Sequence, residues 1–338
     1  MFKVSKKMTI FIVAILTLAL IAGCGKGEGQ KATPDAGKQA SELKFPEKPI
    51  TIIVPFKAGG GTDAIARKLA NMLQPKGVAV LVINKEGGGA NIGFTEAAKA
   101  KPDGYTLAFN TANMAINYAM GLSELTYKDF EPIIAVNTDV GMISVRKDSK
   151  YKTIQDLIND AKANPGKLKI GVGSAGSPWL MGLAKLKDKA KIDFTIAVAS
   201  GGGAEVASNL LGGHIDAACH APSDMAGLMK SGDLRPLAVM GDERNPNYPD
   251  VPTLKEVGYD VTQLGPRGFI APKGTPKEVV KKLHDIFKEV IDTPEYKEYM
   301  KNQDTEYMYL NTEDYTKFLE DELKTYIELA EKFSLKKK

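Results

Sequence analysis

Short apolar runs alternate along this chain with longer stretches whose apolar residues recur at helical spacing. That alternation restricts the fold to βα units, read here as an α/β chain with mainly parallel strands. A first series predicts strands at residues 50–56, 78–84 and 105–110 and helices at 64–73 and 92–101. A second series opens near residue 140, with strands at 140–145, 169–172, 194–198, 215–218 and 234–240. Its helices are expected at 153–163, 178–187, 204–211 and 225–230, the first capped by Thr153 paired with Asp156. Beyond a run at 268–271, Thr275-Pro276 opens a helix whose Val279, Val280, Leu283, Ile286, Phe287 and Val290 form one stripe. A last helix, 313–333, carries Tyr315, Phe318, Leu319, Leu323, Tyr326, Ile327 and Ala330 at the same spacing, and both stripes are read as faces packed on a lobe.

The glycines fall where such strands end. PFKAGGGTD, residues 55–63, directly follows the run Ile50-Thr51-Ile52-Ile53-Val54. Gly59, Gly60 and Gly61 let backbone N–H groups turn toward a small anion, and Thr62 or Asp63 suits the start of a helix. Taken alone, the loop fits an anion cradle and a plain strand-to-helix turn equally well. It lacks both the Walker lysine-serine pattern and the spaced glycines of a dinucleotide fingerprint. Residues 171–178, GVGSAGSP, repeat the device in the second series, with hydroxyls on Ser174 and Ser177 and Pro178 placed for a first helical turn. Asn110-Thr111-Ala112-Asn113 and Ser200-Gly201-Gly202-Gly203 follow two further strands. Several such loops on strand ends favour a ligand site over punctuation.

Other chemistry is sparse. Asp216, Cys219, His220 and Asp224 form the densest group of reactive side chains. Neighbours in a strand point to opposite faces, so Cys219 and His220 are not expected to act as a nucleophile and base. The three histidines are dispersed, and neither a metal site nor a cofactor is expected. The lone tryptophan, Trp179, is read as an apolar contact beside a cleft or in the core.

The N-terminal region places these elements outside the cytoplasm. Lys3, Lys6 and Lys7 precede a charge-free apolar stretch, and Ile21-Ala22-Gly23-Cys24 closes it in the manner of a lipoprotein signal peptide, with Cys24 as the lipid acceptor. An uncleaved anchor or a soluble-secretion signal is the alternative. Without residues 1–23 the net charge of +4 falls to +1, which implies no nucleic-acid surface. Residues 24–44 read as a flexible tether. Beyond the lipid site Cys219 is the only cysteine, so no intramolecular disulfide is available.

Several segments together resemble the TctC/Bug family, the substrate-binding subunits of tripartite tricarboxylate transporters. They are residues 45–50 (FPEKPI), PFKAGGGTD, 91–93 (NIG), 101–107 (KPDGYTL), GSAGSP, 210–216 (LLGGHID), 232–239 (GDLRPLAV), 249–253 (PDVPT) and 271–276 (APKGTP). The resemblance implies a two-lobed periplasmic-binding-protein fold of the type with two crossover strands, closing on a small carboxylate. Lobe one would comprise 45–142 and 265–338, and lobe two 143–264, with crossings near 141–145 and 262–266. It points to Phe56, Ala58, Gly59, Gly60 and Asp63 in lobe one and to Ser174, Ala175, Gly176 and Ser177 in lobe two. Asn110, Thr111, Ser200, Gly201, Asp216 and His220 are further candidate ligand contacts. Many relatives carry a Pro-Tyr-Lys-Gly-like stretch where this chain has Ala199-Ser200-Gly201-Gly202, and an acidic residue is common near His220. The second half of the pocket is therefore expected to differ, and citrate is not implied.

The expectation is a monomeric, lipid-anchored receptor that delivers an organic carboxylate to transporter membrane subunits. An extracellular hydrolase using Asp63, His220 or Cys219 is the enzyme alternative, unsupported by any nucleophile-elbow or metal motif. A ligand sensor with the same cleft remains open.

Overall fold

The computed structural model describes residues 44–199 and 202–336. The expected leader, Cys24, the tether up to residue 43, Ser200 and Gly201 lie outside the described residues. The chain begins with β1 (Ile50–Val54), α1 (Gly61–Leu73), β2 (Val80–Asn84), α2 (Asn91–Ala98), β3 (Thr106–Thr111) and α3 (Asn113–Ala119). It continues through β4 (Phe130–Val140), β5 (Met142–Arg146), α4 (Ile154–Ala163), β6 (Lys169–Val172), α5 (Pro178–Ala190), β7 (Thr195–Val198), α6 (Gly203–Leu211), β8 (Ala217–His220), α7 (Pro222–Lys230) and β9 (Leu234–Val239). It closes with β10 (Leu264–Pro272), α8 (Lys277–Ile291), α9 (Pro294–Asn302), β11 (Glu306–Leu310) and α10 (Thr312–Lys332).

Two sheets give a two-lobed α/β architecture. The first has the strand order β11-β4-β10-β3-β1-β2, the second β7-β6-β8-β5-β9. The βα units pair in parallel, β1 with β2 and β3 in one sheet and β6 with β7 and β8 in the other. The expected mainly parallel character is corrected by β4, β5 and β10, which pair antiparallel with their neighbours because they carry the chain between sheets. β4 belongs to the first sheet and β5 to the second, with only Gly141 between them. The return passes through Gln263 into β10. At this junction the Met240 N–H donates to the Gly141 carbonyl at 2.6 Å, the Gly141 N–H to Gln263 at 3.0 Å, and the Gln263 N–H to Met240 at 2.8 Å.

The sequence patterns explain most of these elements. Thr153 and Asp156 cap α4 reciprocally, as their spacing predicts. The α8 stripe buries Val279, Val280, Leu283, Phe287 and Val290 against the first sheet, where Phe109, Phe269 and Phe287 stack with ring centroids 4.6 and 4.2 Å apart. Each such ring removed from water contributes roughly 1.5–3 kcal/mol. β4 is not among the strands expected from the sequence, because its residues are buried on both faces and show no alternation. Pro132 lies where β4 and β10 shift register, so the proline does not interrupt the ladder.

α10 departs from the simple reading. Its first half, with Tyr315 and Leu319, packs in a cluster with Phe94, Met114 and Ile270 of the first lobe. Its second half, with Leu323, Tyr326 and Ala330, shares a cluster with Ile143, Trp179 and Leu183 of the second. The helix thus spans the junction.

Candidate functional site

The C-terminal ends of β1, β3, β6, β7 and β8 open onto one cavity of about 280 Å³. Each of these strands is followed by a helix. All five helices, α1 and α3 from the first lobe and α5, α6 and α7 from the second, begin with residues that line the cavity: Gly60 and Gly61, Ala112 and Asn113, Ser177 and Pro178, Gly202 and Gly203, and Asp224. The starts of α1, α6 and α7 carry no side-chain cap. Their dipoles favour an anion there, each by about 0.3–1 kcal/mol when exposed.

PFKAGGGTD forms the first wall. Gly59 has φ +85°, a conformation open to glycine at little cost, and its N–H donates to Asp63 Oδ2 at 2.9 Å. Arg67 Nε donates to the same oxygen at 3.0 Å and Asn84 Nδ2 to Oδ1 at 2.9 Å. Burial opposes the charge on Asp63, but Arg67, the Gly59 N–H and Asn84 together hold its carboxyl below the usual range. Phe56, Ala58, Gly59 and Gly60 line the cavity, whereas Asp63 lies behind the loop with its acceptors engaged. Its expected place as a ligand contact is corrected to that of a strut.

Asn110 and Thr111 separate in the same way. Thr111 lines the cavity, but Asn110 is buried beneath it and donates from Nδ2 to Tyr315 Oη at 3.0 Å. In the second lobe Ser174 and Ser177 line the cavity, and Ser177 Oγ accepts from the Trp179 N–H at 3.3 Å as the cap of α5. Ala175 and Gly176 do not reach it. Gly176 instead abuts α3, where an added side-chain carbon would lie 2.1 Å from Asn117 Oδ1. Asp216 is also corrected. It precedes β8 and accepts from the Lys169 N–H at 2.8 Å, at the end of the sheet opposite the cavity.

His220 lines the cavity with both ring nitrogens engaged, Nδ1 with the Ala221 carbonyl at 2.7 Å and Nε2 with Ser144 Oγ at 2.9 Å. Burial lowers its pKa to about 4, so the ring is neutral at physiological pH and offers only its apolar edge. Cys219 is buried, and burial pushes its thiol well above the usual range. Neither ring nitrogen of His220 bonds to it. Among the described residues no group of three or more His, Cys, Asp or Glu is placed to hold a metal ion.

Sequence reasoning missed the charged end of the cavity. Arg267 enters from β10 and pairs with Asp139 at the end of β4, both side chains buried. Ser223 Oγ, from the other lobe, donates to the Asp139 carboxylate at 3.2 Å. Asp224 lines the cavity next to them, so an acid does stand close to His220. Burial raises the Asp224 pKa to about 6, with Asp139 adding to the rise, against the opposing influence of Arg267 and the Ala221 and Gly61 N–H groups. Asn113 Nδ2, in the first turn of α3, donates across the cleft to Ser174 Oγ at 3.2 Å. Asp224 stands out in the sequence only as part of the densest group of reactive side chains, and nothing local marks Arg267, whose partner is more than a hundred residues away in sequence.

Residues 65–335 match the family described as tripartite tricarboxylate transporter family receptor. A Cupriavidus necator protein, "UPF0065 protein in gbd 5'region", is 35% identical over 309 residues, covering 88% of this chain and 91% of that protein. The solved periplasmic binding protein BugD is 30% identical, with a TM-score of 0.79, covering 87% of this chain and 100% of BugD. R. palustris Rpa4515, solved with adipate, is 26% identical with a TM-score of 0.79 and covers 86% of this chain and 98% of that one. With the family match running through most of its length, the chain belongs to the tripartite tricarboxylate transporter receptor family.

Proposed function

We propose that this protein is an extracytoplasmic receptor that captures a small organic carboxylate and hands it to the membrane subunits of a tripartite-type transporter, without making or breaking a bond. One observation carries the reading: helix starts from both lobes, most without side-chain caps, converge on a single cavity. A carboxylate there gains N–H donors on several sides. The neutral thiol of Cys219 and the fully engaged ring of His220 provide no activated nucleophile.

The lobes proposed for closure are 45–142 with 265–338 and 143–264, and lipid on Cys24 would hold the receptor at the membrane. Phe56, Ala58, Gly59, Gly60, Thr111, Ser174, Ser177 and the ring of His220 are the expected contacts, together with Ser200 and Gly201. Adipate in the related R. palustris protein supports the ligand class and leaves the particular acid open.

A thermal-shift screen of the full-length protein against mono-, di- and tricarboxylates, amino acids and aromatic acids tests this. A ligand at a hundredfold excess over its Kd should add about 3 kcal/mol of stability. If no carboxylate shifts the melt while an ester or peptide is turned over, the receptor reading fails.

A further inference from the structure

The charges at the inner end of the cavity do not cancel. Arg267 and Asp139 form one buried pair, and Ser223 completes the coordination of Asp139. Asp224 is left over. Its carboxylate accepts the N–H groups of Gly61, from the opposing lobe, and of Ala221, and it forms no ion pair among the described residues. A carboxylate has about four lone-pair sites, so two backbone donors leave acceptor capacity on a group that lines the cavity.

Among the described residues the one cation beside Asp224 is Arg267, and it is already paired with Asp139. An added side-chain carbon on Gly203 would lie 2.7 Å from Asp224 Cβ, and one on Gly61 would lie 3.3 Å from Oδ1. Gly203 is held as glycine by this approach and Gly61 is closely packed, so neither position presents a side chain to Asp224. Asp224 lines the same cavity of about 280 Å³ as the helix starts, so a ligand held there is within reach of this carboxylate. Burial of Asp224, which raises its pKa to about 6, sharpens the demand for a compensating donor.

Resting on the carboxylate reading above, we propose that Asp224 is a specificity-determining residue that accepts an N–H or O–H group of the ligand. It selects carboxylates bearing an ammonium or hydroxyl donor over those that offer only a second carboxylate. The uncapped helix starts hold the ligand carboxylate, and the ammonium of an amino acid restores neutrality beside Asp224. A hydroxyl donates without adding charge. A plain dicarboxylate places an anion against an anion.

Isothermal titration of the full-length protein, near pH 8 where Asp224 is ionised, tests this with two isosteric sets. They are aspartate, malate and succinate, and glutamate, 2-hydroxyglutarate and glutarate. In the set that binds, the amino acid should exceed the unsubstituted acid by about tenfold or more, with the hydroxy acid between them. Asp224→Asn should weaken the amino acid and strengthen the unsubstituted acid until that preference is lost. Asp224→Ser should do the same, and circular-dichroism melts show which variants are folded. If neither variant folds, the order in the wild-type protein decides alone. Wild-type protein that binds succinate or glutarate as tightly as the amino acid, or folded variants that keep the wild-type order, overturns the proposal and leaves the carboxylate receptor standing. Binding of no acid in either set overturns the proposal, and the wider carboxylate screen then decides the receptor reading.

Discussion

A side-chain carbon on Gly141 would begin 3.0 Å from the Cε3 atom of Trp179. The same indole sits 3.0 Å, through Cη2, from the position of such a carbon on Gly265. Trp179 therefore packs against both crossings between the lobes, and each crossing is glycine where the ring approaches.

Gly141→Val is expected to cost about 1–3 kcal/mol of stability, because Trp179 and Met240 occupy the space the new side chain needs. Urea melts of wild type and variant measure it. An unchanged midpoint would mean that the indole moves aside freely and that the junction is not close-packed.

Asp63 separates a strut from a ligand contact. Asp63→Ala strands the Gly59 N–H, Arg67 and Asn84, and should destabilise the protein by about 1–3 kcal/mol while weakening ligand binding through the displaced loop. Because the folded pKa is depressed, this contribution is present above the unfolded value of 3.8 and is lost as pH falls through the lower folded value. Reduced affinity with unaltered stability would return Asp63 to the binding surface.

Much of the site was readable because its loops act through what they lack. A run of glycines after an apolar strand needs no partner to be noticed, so PFKAGGGTD and GVGSAGSP marked the cavity walls once they were read together. Side chains whose role depends on the far side of the fold were not readable. Asp63 and a ligand-binding aspartate look alike until Asn84 and Arg67 are seen to enclose it. Asp216 stands beside β8 in sequence but at its wrong end in space, and Arg267 acquires meaning only when β10 brings it to Asp139. β4 escaped for the opposite reason: burial on both faces removes the alternation that announces a strand.

Glu322 gives a pH signature at the junction. It is buried on α10 and hydrogen-bonded to Tyr326, whose hydroxyl accepts from Gln263 Nε2 at 2.9 Å. Burial raises its pKa from 4.5 to about 8, only partly offset by Tyr326. The folded protein therefore holds a proton that the unfolded chain has released, so stability falls as pH rises through this window. Above pH 6.5, where His220 no longer contributes its opposite trend, the loss should be on the order of 1 kcal/mol per pH unit up to about 8. Glu322→Gln should flatten thermal stability between these limits, and an equal slope in wild type and variant would sink the assignment.

Gly176 tests closure directly. Asn117 is fixed from Nδ2 to the Gly89 carbonyl at 2.8 Å and to Asn91 Oδ1 at 3.0 Å, and its Oδ1 lies 2.1 Å from where a Gly176 side chain would begin. Gly176→Ala therefore forces the second-lobe loop away from α3, separating Ser174 from Asn113 as well. The lobes can relieve this clash by opening, so each should keep its own fold. Ligand affinity is expected to fall by about tenfold or more, since binding must then meet the cost of closing against the clash. Small-angle scattering with saturating ligand should show a larger radius of gyration for the variant than for wild type. If affinity and radius both match wild type, the loop and α3 do not meet in the bound state, and the contact between Asn113 and Ser174 is not part of closure.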